Sequence, residues 1–415
     1  MQIKLSHPDK KLSGRVSLEG SKSISNRILV IKHLAKSNAR ITNVSKSDDT
    51  KYLADILENI QEVNDVHHAG TAFRFLTSVL SFTHGTQVLT GSPRMKQRPI
   101  GPLVEALRTI GANIEYLGVH GFPPLKIGSP SLCDNNRIRI TGNVSSQFIS
   151  SLALIAPIRP LGLVIEIEGK FVSKPYLDMT LDIMNECGAY HIWDKNTLTI
   201  HPGKYEMHNF HVESDWSSAS YLFSMASIAE ESDIKITGLF RESLQPDSVI
   251  QSIASQFAVN SNFQEEELKL NKSNRSILPF LEYNFNACPD VAQTVFVMCA
   301  AHGVKGLFGG LNTLKIKETD RIQASSAELA KINVFLHAVP SRFASRSEDS
   351  LFMQDGKAQW VSVAFNTYDD HRMAMSFAPL ALIRPFEIRD AEVVSKSYPR
   401  FWDDLSDLGF SLEIQ

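Results

Sequence analysis

Asp290 and Glu318 share the C-terminal third of the sequence with Lys317, Arg321, Arg372 and Lys396. Cations of this kind hold carboxylate and phosphate groups, and a positioned Asp or Glu moves protons, so the set suits acid–base chemistry on a doubly anionic substrate. Taken alone, the run Lys317-Glu318-Thr319-Asp320-Arg321 reads as a surface ion-pair network. The N-terminal half holds a second set. Gly20-Ser21-Lys22-Ser23-Ile24-Ser25-Asn26-Arg27 puts Lys22 at a helix start, where the dipole favours an anion, and Arg27 adds a forked donor. The upstream glycine of a Walker loop is absent, so this is not a nucleotide P-loop. Gly70, in Ala69-Gly70-Thr71-Ala72-Phe73-Arg74, suits close approach of backbone to a ligand. Arg94 to Pro99 is a basic loop that carries Arg98 into a helix; away from other cations such a loop is a solvated face. Ser145, Ser146 and Gln147, with Ser173, Lys174, Pro175 and Tyr176, place hydroxyls and amides at neighbouring helix starts, a cradle for a phosphate that needs no metal.

These anchors sit in a repeat. A small or polar anchor followed by a long apolar helix occurs six times: Lys22 into ILVIKHLA, Thr71 into FRFLTSVL, Ser146 into FISSLALIA, Ser217 into YLFSMASIA, Asp290 into AQTVFVMCAA and Asp370 into MAMSFAPLAL. Each start reads as capped. An amphipathic helix follows each, anchored near Asp49, Arg98, Pro175, Pro246, Glu318 and Pro399, always about 28 residues after its partner. Between them lie β-branched segments such as TQVLTG, GLVIEIEG and DIKITG, which read as strands. A helix apolar all round is a buried helix. The expectation is an α/β fold of two domains, each with three buried helices inside a shell of sheets: residues 14–213, and 1–13 with 214–415. Asp49 to Thr71 is much shorter than the corresponding later gaps, so the first unit is expected to be abbreviated at the edge of its sheet.

At 415 residues and 43% hydrophobic the chain exceeds a single core. A formal charge of -3 supplies no general basic field, so neither nucleic acid nor an anionic membrane is expected as a partner. The start of the sequence lacks the apolar core of a leader, and no apolar run is long enough to span a bilayer, so a soluble cytoplasmic protein is expected. Four scattered cysteines, Cys133, Cys187, Cys288 and Cys299, read as reduced packing residues.

Taken in order, GSKSISNR, AGTAFR, PRMKQRPIG, SSQF, SKPY, SDWSSASY, PDVA, KETDR and DDHRMAM resemble the successive signature segments of the 5-enolpyruvylshikimate-3-phosphate synthase family, across essentially the whole chain. The resemblance implies a two-domain inside-out α/β barrel of six βαβαββ-type units, with no metal or organic cofactor. It implies transfer of the enolpyruvyl group of phosphoenolpyruvate to shikimate 3-phosphate by addition and elimination; separately, a monomer is expected. On matching positions, Lys22, Arg98, Gln147 and Lys396 would hold the phosphate of phosphoenolpyruvate, Arg321 and Arg372 its carboxylate, and Gly70 would form a close backbone wall. Ser23, Arg27 and Lys317 would contact shikimate ring groups. Ser145, Ser146 and Ser173, with Gln147 nearby, would hold the 3-phosphate, bordered by Tyr176. Asp290 would take the proton of the attacking hydroxyl, and Glu318 with Lys22 would serve proton transfer at the methylene.

Four positions depart from the commonest family pattern: His68 for asparagine, Phe75 for proline, Trp216 for a small residue, and Thr313 where asparagine often contacts the shikimate ring. Two other readings stand beside this one. The UDP-N-acetylglucosamine enolpyruvyl transferases share fold and donor, but their counterpart of the loop Gly91 to Pro99 carries a cysteine, absent here. A non-catalytic phosphometabolite-binding protein on the same scaffold would keep the cations and lose the carboxylates.

Overall fold

Apolar helices rich in Ala, Ser and Thr pack closely because small side chains let their axes approach, and that rule shapes both halves of the chain. The computed structural model describes residues 1–142, 145–169, 171–340, 342 and 350–415. It divides into a continuous unit, Gly20–Val212, and a split unit, Met1–Glu19 with Glu213–Gln415.

The continuous unit contains α1 (Lys22–Ala35), α2 (Asp48–Glu58), α3 (Gly70–Leu80), α4 (Gly101–Thr109), α5 (Ser146–Ile155) and α6 (Lys174–Glu186). Every residue of α3 is buried, and α1, α3 and α5 contact one another. Ser151 Oγ pairs with Ser78 Oγ at 2.6 Å and donates to Arg74 O at 2.7 Å, so hydroxyls satisfy each other inside the bundle. Two four-stranded sheets flank these helices. One runs Val63–Asp65, Gln87–Thr90, Leu125–Gly128, Asn113–Tyr116; the other runs Arg137–Thr141, Leu163–Glu168, Thr197–Ile200, His191–Asp194. In both, the spatial order is first, second, fourth, third, with the first two strands parallel and the rest antiparallel. The parallel step needs a crossover, which α3 and α5 supply. The first repeat has only Ile41–Thr42 paired in parallel with Phe210–His211. The next strand after α2, Val63–Asp65, already belongs to the following sheet, which leaves no chain for a second hairpin.

The split unit repeats the plan with α7 (Trp216–Ile228), α8 (Ile250–Ser255), α9 (Ala292–His302), α10 (Arg321–Ala330), α11 (His371–Phe377) and α12 (Phe401–Asp407). Here α7, α9 and α11 contact one another. Two of its three sheets keep the same order: Lys11–Ser17, Glu231–Thr237, Glu267–Lys272, Val259–Gln264; then Phe280–Asn284, Lys305–Gly309, Phe352–Gly356, Val334–Ala338; in the last, Ala364–Phe365, Phe386–Arg389, Gln2–Ser6, Ser411–Ile414, the N-terminal strand takes the place of the fourth. The boundary expected at residue 14 falls inside Lys11–Ser17, which pairs with Glu231–Thr237 along its whole length, so residues 14–19 go with the split unit. Glu213 does too. Its buried carboxylate accepts from Phe240 N at 2.9 Å and from Ser243 Oγ and Trp216 Nε1 at 2.7 Å.

Not every helix start is capped by its own anchor. Ser21, Ser145 and Asp370 cap α1, α5 and α11, whereas Asp215, not Ser217, caps α7, and Asp290 lies in a short 3-10 turn before α9. Ala69 cannot cap α3, and Asp49 from α2 instead accepts from Ala72 N at 3.3 Å. The four cysteines form no disulfide, and three are buried. No helix among the described residues is long and apolar enough to cross a membrane.

At the end of α9, burial, reinforced by Lys272 and Lys357, pulls the His302 imidazole down to about 4. The unfolded chain therefore binds a proton that the folded chain refuses below about pH 6.5. Stability from this residue is complete above pH 6.5 and is lost as pH falls toward 4. His302→Phe is expected to remove roughly 2–3 kcal/mol of the acid-dependent loss across that window. Urea unfolding midpoints of both proteins at pH 7, 5.5 and 4.5 check this; parallel pH curves would refute it.

Candidate active-site residues

In the continuous unit, the first turns of α1, α3, α5 and α6 carry the expected residues. Lys22 and Ser23, both half-buried, head α1 behind the Ser21 cap, whose Oγ accepts from Ile24 N at 3.4 Å. One turn on, Arg27 is buried and spends its fork on protein: Nε donates to Thr180 Oγ1 at 2.6 Å, Nη1 to Ser23 O at 2.7 Å and Nη2 to Tyr176 O at 3.1 Å. Burial draws its pKa down to about 10. The Phe75 ring lies 5.5 Å from this guanidinium, so the phenylalanine that departs from the family pattern supports a cation.

Gly70 opens α3 where Arg98 and Arg74 converge. A Cβ at this position would collide with the Arg98 guanidinium and lie 2.9 Å from Arg74 Nη1, so a larger residue would require these guanidiniums to move. Arg74 Nη1 also donates to Gly70 O at 2.7 Å. Gln147 Nε2 donates to Thr71 Oγ1 at 3.1 Å, which ties the start of α5 to the start of α3, while Ser145 Oγ accepts from Gln147 N at 3.3 Å and Ser146 is buried. Ser173 precedes α6 in the left-handed region (φ 56) and makes no side-chain cap bond, which leaves its hydroxyl for other use. His68, the second departure, stands 3.8 Å from Asp48 Oδ2.

In the split unit, the 3-10 turn Pro289–Val291, the start of α10 and the start of α11 bring six charges together. Arg321 is 2% exposed and bridges three carboxylates: Asp370 Oδ2 at 2.7 Å, Glu318 Oε2 at 2.7 Å and Asp290 Oδ1 at 3.0 Å. Burial alone would lower its pKa, but Asp370, Glu318 and Asp290 together outweigh burial and raise it. Arg372 Nη2 meets Asp290 Oδ2 at 3.1 Å and Ser217 Oγ at 3.3 Å, and its Nη1 donates to Tyr221 Oη at 3.2 Å. Lys317 Nζ lies 3.4 Å from Asp290 Oδ1, and burial lowers its pKa against the pull of that carboxylate. Asp290 is thus gripped by three cations. Lys396 Nζ donates to Asp369 O at 2.7 Å and Oδ1 at 2.6 Å. Thr313 Oγ1 is buried and has no hydrogen-bond partner among the described residues. Trp216, the remaining departure, is fully buried with its indole on Glu213.

Sequence reasoning missed the partners that orient these groups. Asp369 stands beside the quoted Asp370, and Arg74 closes AGTAFR, but neither had a reason to be chosen. Tyr221 lies one turn into α7, on the face that its anchor Ser217 presents, and helical spacing would have found it.

The family model for EPSP synthase (3-phosphoshikimate 1-carboxyvinyltransferase) matches residues 6–66 and 58–405. A 3-phosphoshikimate 1-carboxyvinyltransferase of Bacteroides fragilis is 42% identical, with 100% of this chain and 99% of the relative covered. One of Vibrio vulnificus is 35% identical, with 97% of each covered. The solved structure of EPSP synthase from Acinetobacter baumannii aligns over 100% of both chains with a TM-score of 0.78 at 20% identity, a likeness of fold.

The buried Asp370–Arg321 pair gives a stability test. Asp370→Ala leaves a buried guanidinium short of one carboxylate and removes the α11 cap, and is expected to cost about 3–5 kcal/mol. Glu413→Ala, which breaks the exposed pair with Lys4, is expected to cost less than about 1 kcal/mol. Chemical unfolding of the full chain compares them, and equal losses would count against the pair.

Proposed function

The chain belongs to the EPSP synthase family, and we propose that its two groups of charged side chains carry out the reaction of that family. The enolpyruvyl group of phosphoenolpyruvate is transferred to the 5-hydroxyl of shikimate 3-phosphate and phosphate is released, a step toward the aromatic amino acids. The observation that carries the assignment of roles is the Asp290 carboxylate, held between Arg321, Arg372 and Lys317.

Lys22, Arg98, Gln147 and Lys396 bind the phosphate of phosphoenolpyruvate, and Gly70 keeps Arg98 in place by having no side chain. Arg321 and Arg372 bind its carboxylate. Both guanidiniums are engaged by Asp290, and Arg321 also by Glu318. The substrate carboxylate takes over those donors, and the displaced Asp290 and Glu318 become available to move protons. Donor binding and activation of the bases are then one event. Ser23, Arg27, Thr313 and Lys317 serve the shikimate ring side, Arg27 by fixing Ser23 O and Tyr176 O. Ser145, Ser146, Gln147 and Ser173 hold the 3-phosphate beside Tyr176.

Glu318 with Lys22 delivers a proton to the methylene, which makes the adjacent carbon electrophilic. The 5-hydroxyl adds to that carbon while Asp290 takes its proton. In the tetrahedral intermediate the carbon–oxygen bond to phosphate breaks, and loss of a methyl proton restores the double bond. Fixed cations stabilise charge as it develops on the departing phosphate. The reading includes a cytoplasmic monomer acting on two small anions, with no cofactor, nucleic acid or membrane partner; light scattering checks the oligomeric state.

Incubation with phosphoenolpyruvate and shikimate 3-phosphate is expected to release inorganic phosphate, and UDP-N-acetylglucosamine in place of shikimate 3-phosphate is expected to release none. The opposite pattern selects the rival transferase, and no turnover with either acceptor selects a binding protein. Asp290→Asn keeps the shape of the side chain and loses the base. It is expected to lower turnover by about a hundredfold or more, with both substrates still bound. Turnover within a few-fold of the parent would remove Asp290 from this role.

A further inference from the structure

Residues 366–370 of the split unit contain two consecutive left-handed residues, Tyr368 (φ 54) and Asp369 (φ 55). Neither is glycine, so contacts around the turn must hold it in a conformation it would otherwise leave. Both ends of the segment are gripped from one helix. At the start of α10, Arg321 holds Asp370. Two turns later, about 10 Å along the axis, Glu328 lies on the same face and is 0% exposed. Its carboxylate accepts from Asn366 N at 3.0 Å, Tyr368 Oη at 2.6 Å and Lys331 Nζ at 2.5 Å. The residue between these clamps is Asp369, whose backbone and side-chain oxygens both receive the Lys396 ammonium.

We propose that Glu328 is a positioning residue for the reaction: through Asn366 N and Tyr368 Oη it fixes the left-handed turn whose Asp369 oxygens aim Lys396. This rests on the reading of Lys396 as a ligand of the phosphoenolpyruvate phosphate. An ammonium on a four-carbon stem has no preferred direction of its own, so a backbone and a side-chain acceptor on one residue set where its remaining protons point. If the turn relaxes toward ordinary backbone angles, Asp369 O and Oδ1 no longer face Lys396 together. The Tyr368 phenol suits its part in this. Burial, then the hydrogen bond to Glu328 and its charge, push it up to about 12, so it stays a donor at neutral pH.

Steady-state kinetics on the full chain, with each substrate varied at saturation of the other, test the proposal. Tyr368→Phe removes only the phenol's hydrogen bonding, to Glu328 and to the Asn366 side chain. It is expected to raise KM for phosphoenolpyruvate about three- to tenfold, with kcat within about twofold and KM for shikimate 3-phosphate unchanged. Glu328→Gln is expected to act in the same direction and further. Lys396→Met serves as the reference: it raises KM for phosphoenolpyruvate at least as far, and adding Tyr368→Phe to it changes little more, because the effect runs through Lys396. A merely stabilising Glu328 would instead lower the melting temperature and leave the KM of the folded fraction alone. Parental KM for phosphoenolpyruvate in Tyr368→Phe overturns the proposal, as does a Tyr368→Phe effect undiminished on top of Lys396→Met. If Lys396→Met itself leaves that KM unchanged, the reading of Lys396 is wrong and the proposal falls with it. Should Glu328→Gln fail to fold, Tyr368→Phe alone decides.

Discussion

The buried guanidinium of Arg321 is the constraint around which the split unit is organised. An isolated charge cannot stay in that environment, so the fold must deliver carboxylates to it from separate stretches of chain. Asp370 comes from the cap of α11, Asp290 from the turn before α9 and Glu318 from the loop before α10. Two of those stretches open repeats, and the third leads into the second helix of the repeat that Asp290 opens. Satisfying one arginine therefore fixes the mutual placement of the elements that carry the proposed chemistry.

The continuous unit solves a related problem by a different route. Its cations stand where helices begin, and the space they need comes from what is missing: a side chain at Gly70 and a capping group at Ala69. Asp49 supplies the cap from a neighbouring helix, so the start of α3 is satisfied without a bulky group at its own entrance. In both units buried guanidiniums, Arg27 and Arg74 in one and Arg321 and Arg372 in the other, are held by short bonds to backbone or to protein side chains.

The architecture was legible because it is written in period and spacing. Helices apolar on every side announced buried bundles, and constant anchor intervals announced repeats. The short interval from Asp49 to Thr71 foretold the two-stranded first sheet. The boundary after the strand Lys11–Ser17 was less legible, since alternation shows that a strand exists but not which distant strand it joins. Site residues with charge were visible by type. Their orienting partners were not. Asp369 matters through a backbone angle, and Asn366 through an amide N–H that any residue but proline would offer. Arg27 shows the converse: its charge invites a ligand, while the fold commits two of its nitrogens to holding α1 against α6 and the third to the first turn of α1 itself.

The borrowed strands have a consequence for the order of folding on the ribosome. Gln2–Ser6 lies between Phe386–Arg389 and Ser411–Ile414 in a sheet whose remaining strand is Ala364–Phe365. Lys11–Ser17 waits for Glu231–Thr237. Translation therefore releases the earliest segments long before their partners exist, and the continuous unit, complete at Val212, is available to fold while those segments are still unpaired. Lys11–Ser17 is unpaired until Glu231–Thr237 emerges, and Gln2–Ser6 until the last repeat does, so each leaves open strand edges that invite wrong pairing in the meantime.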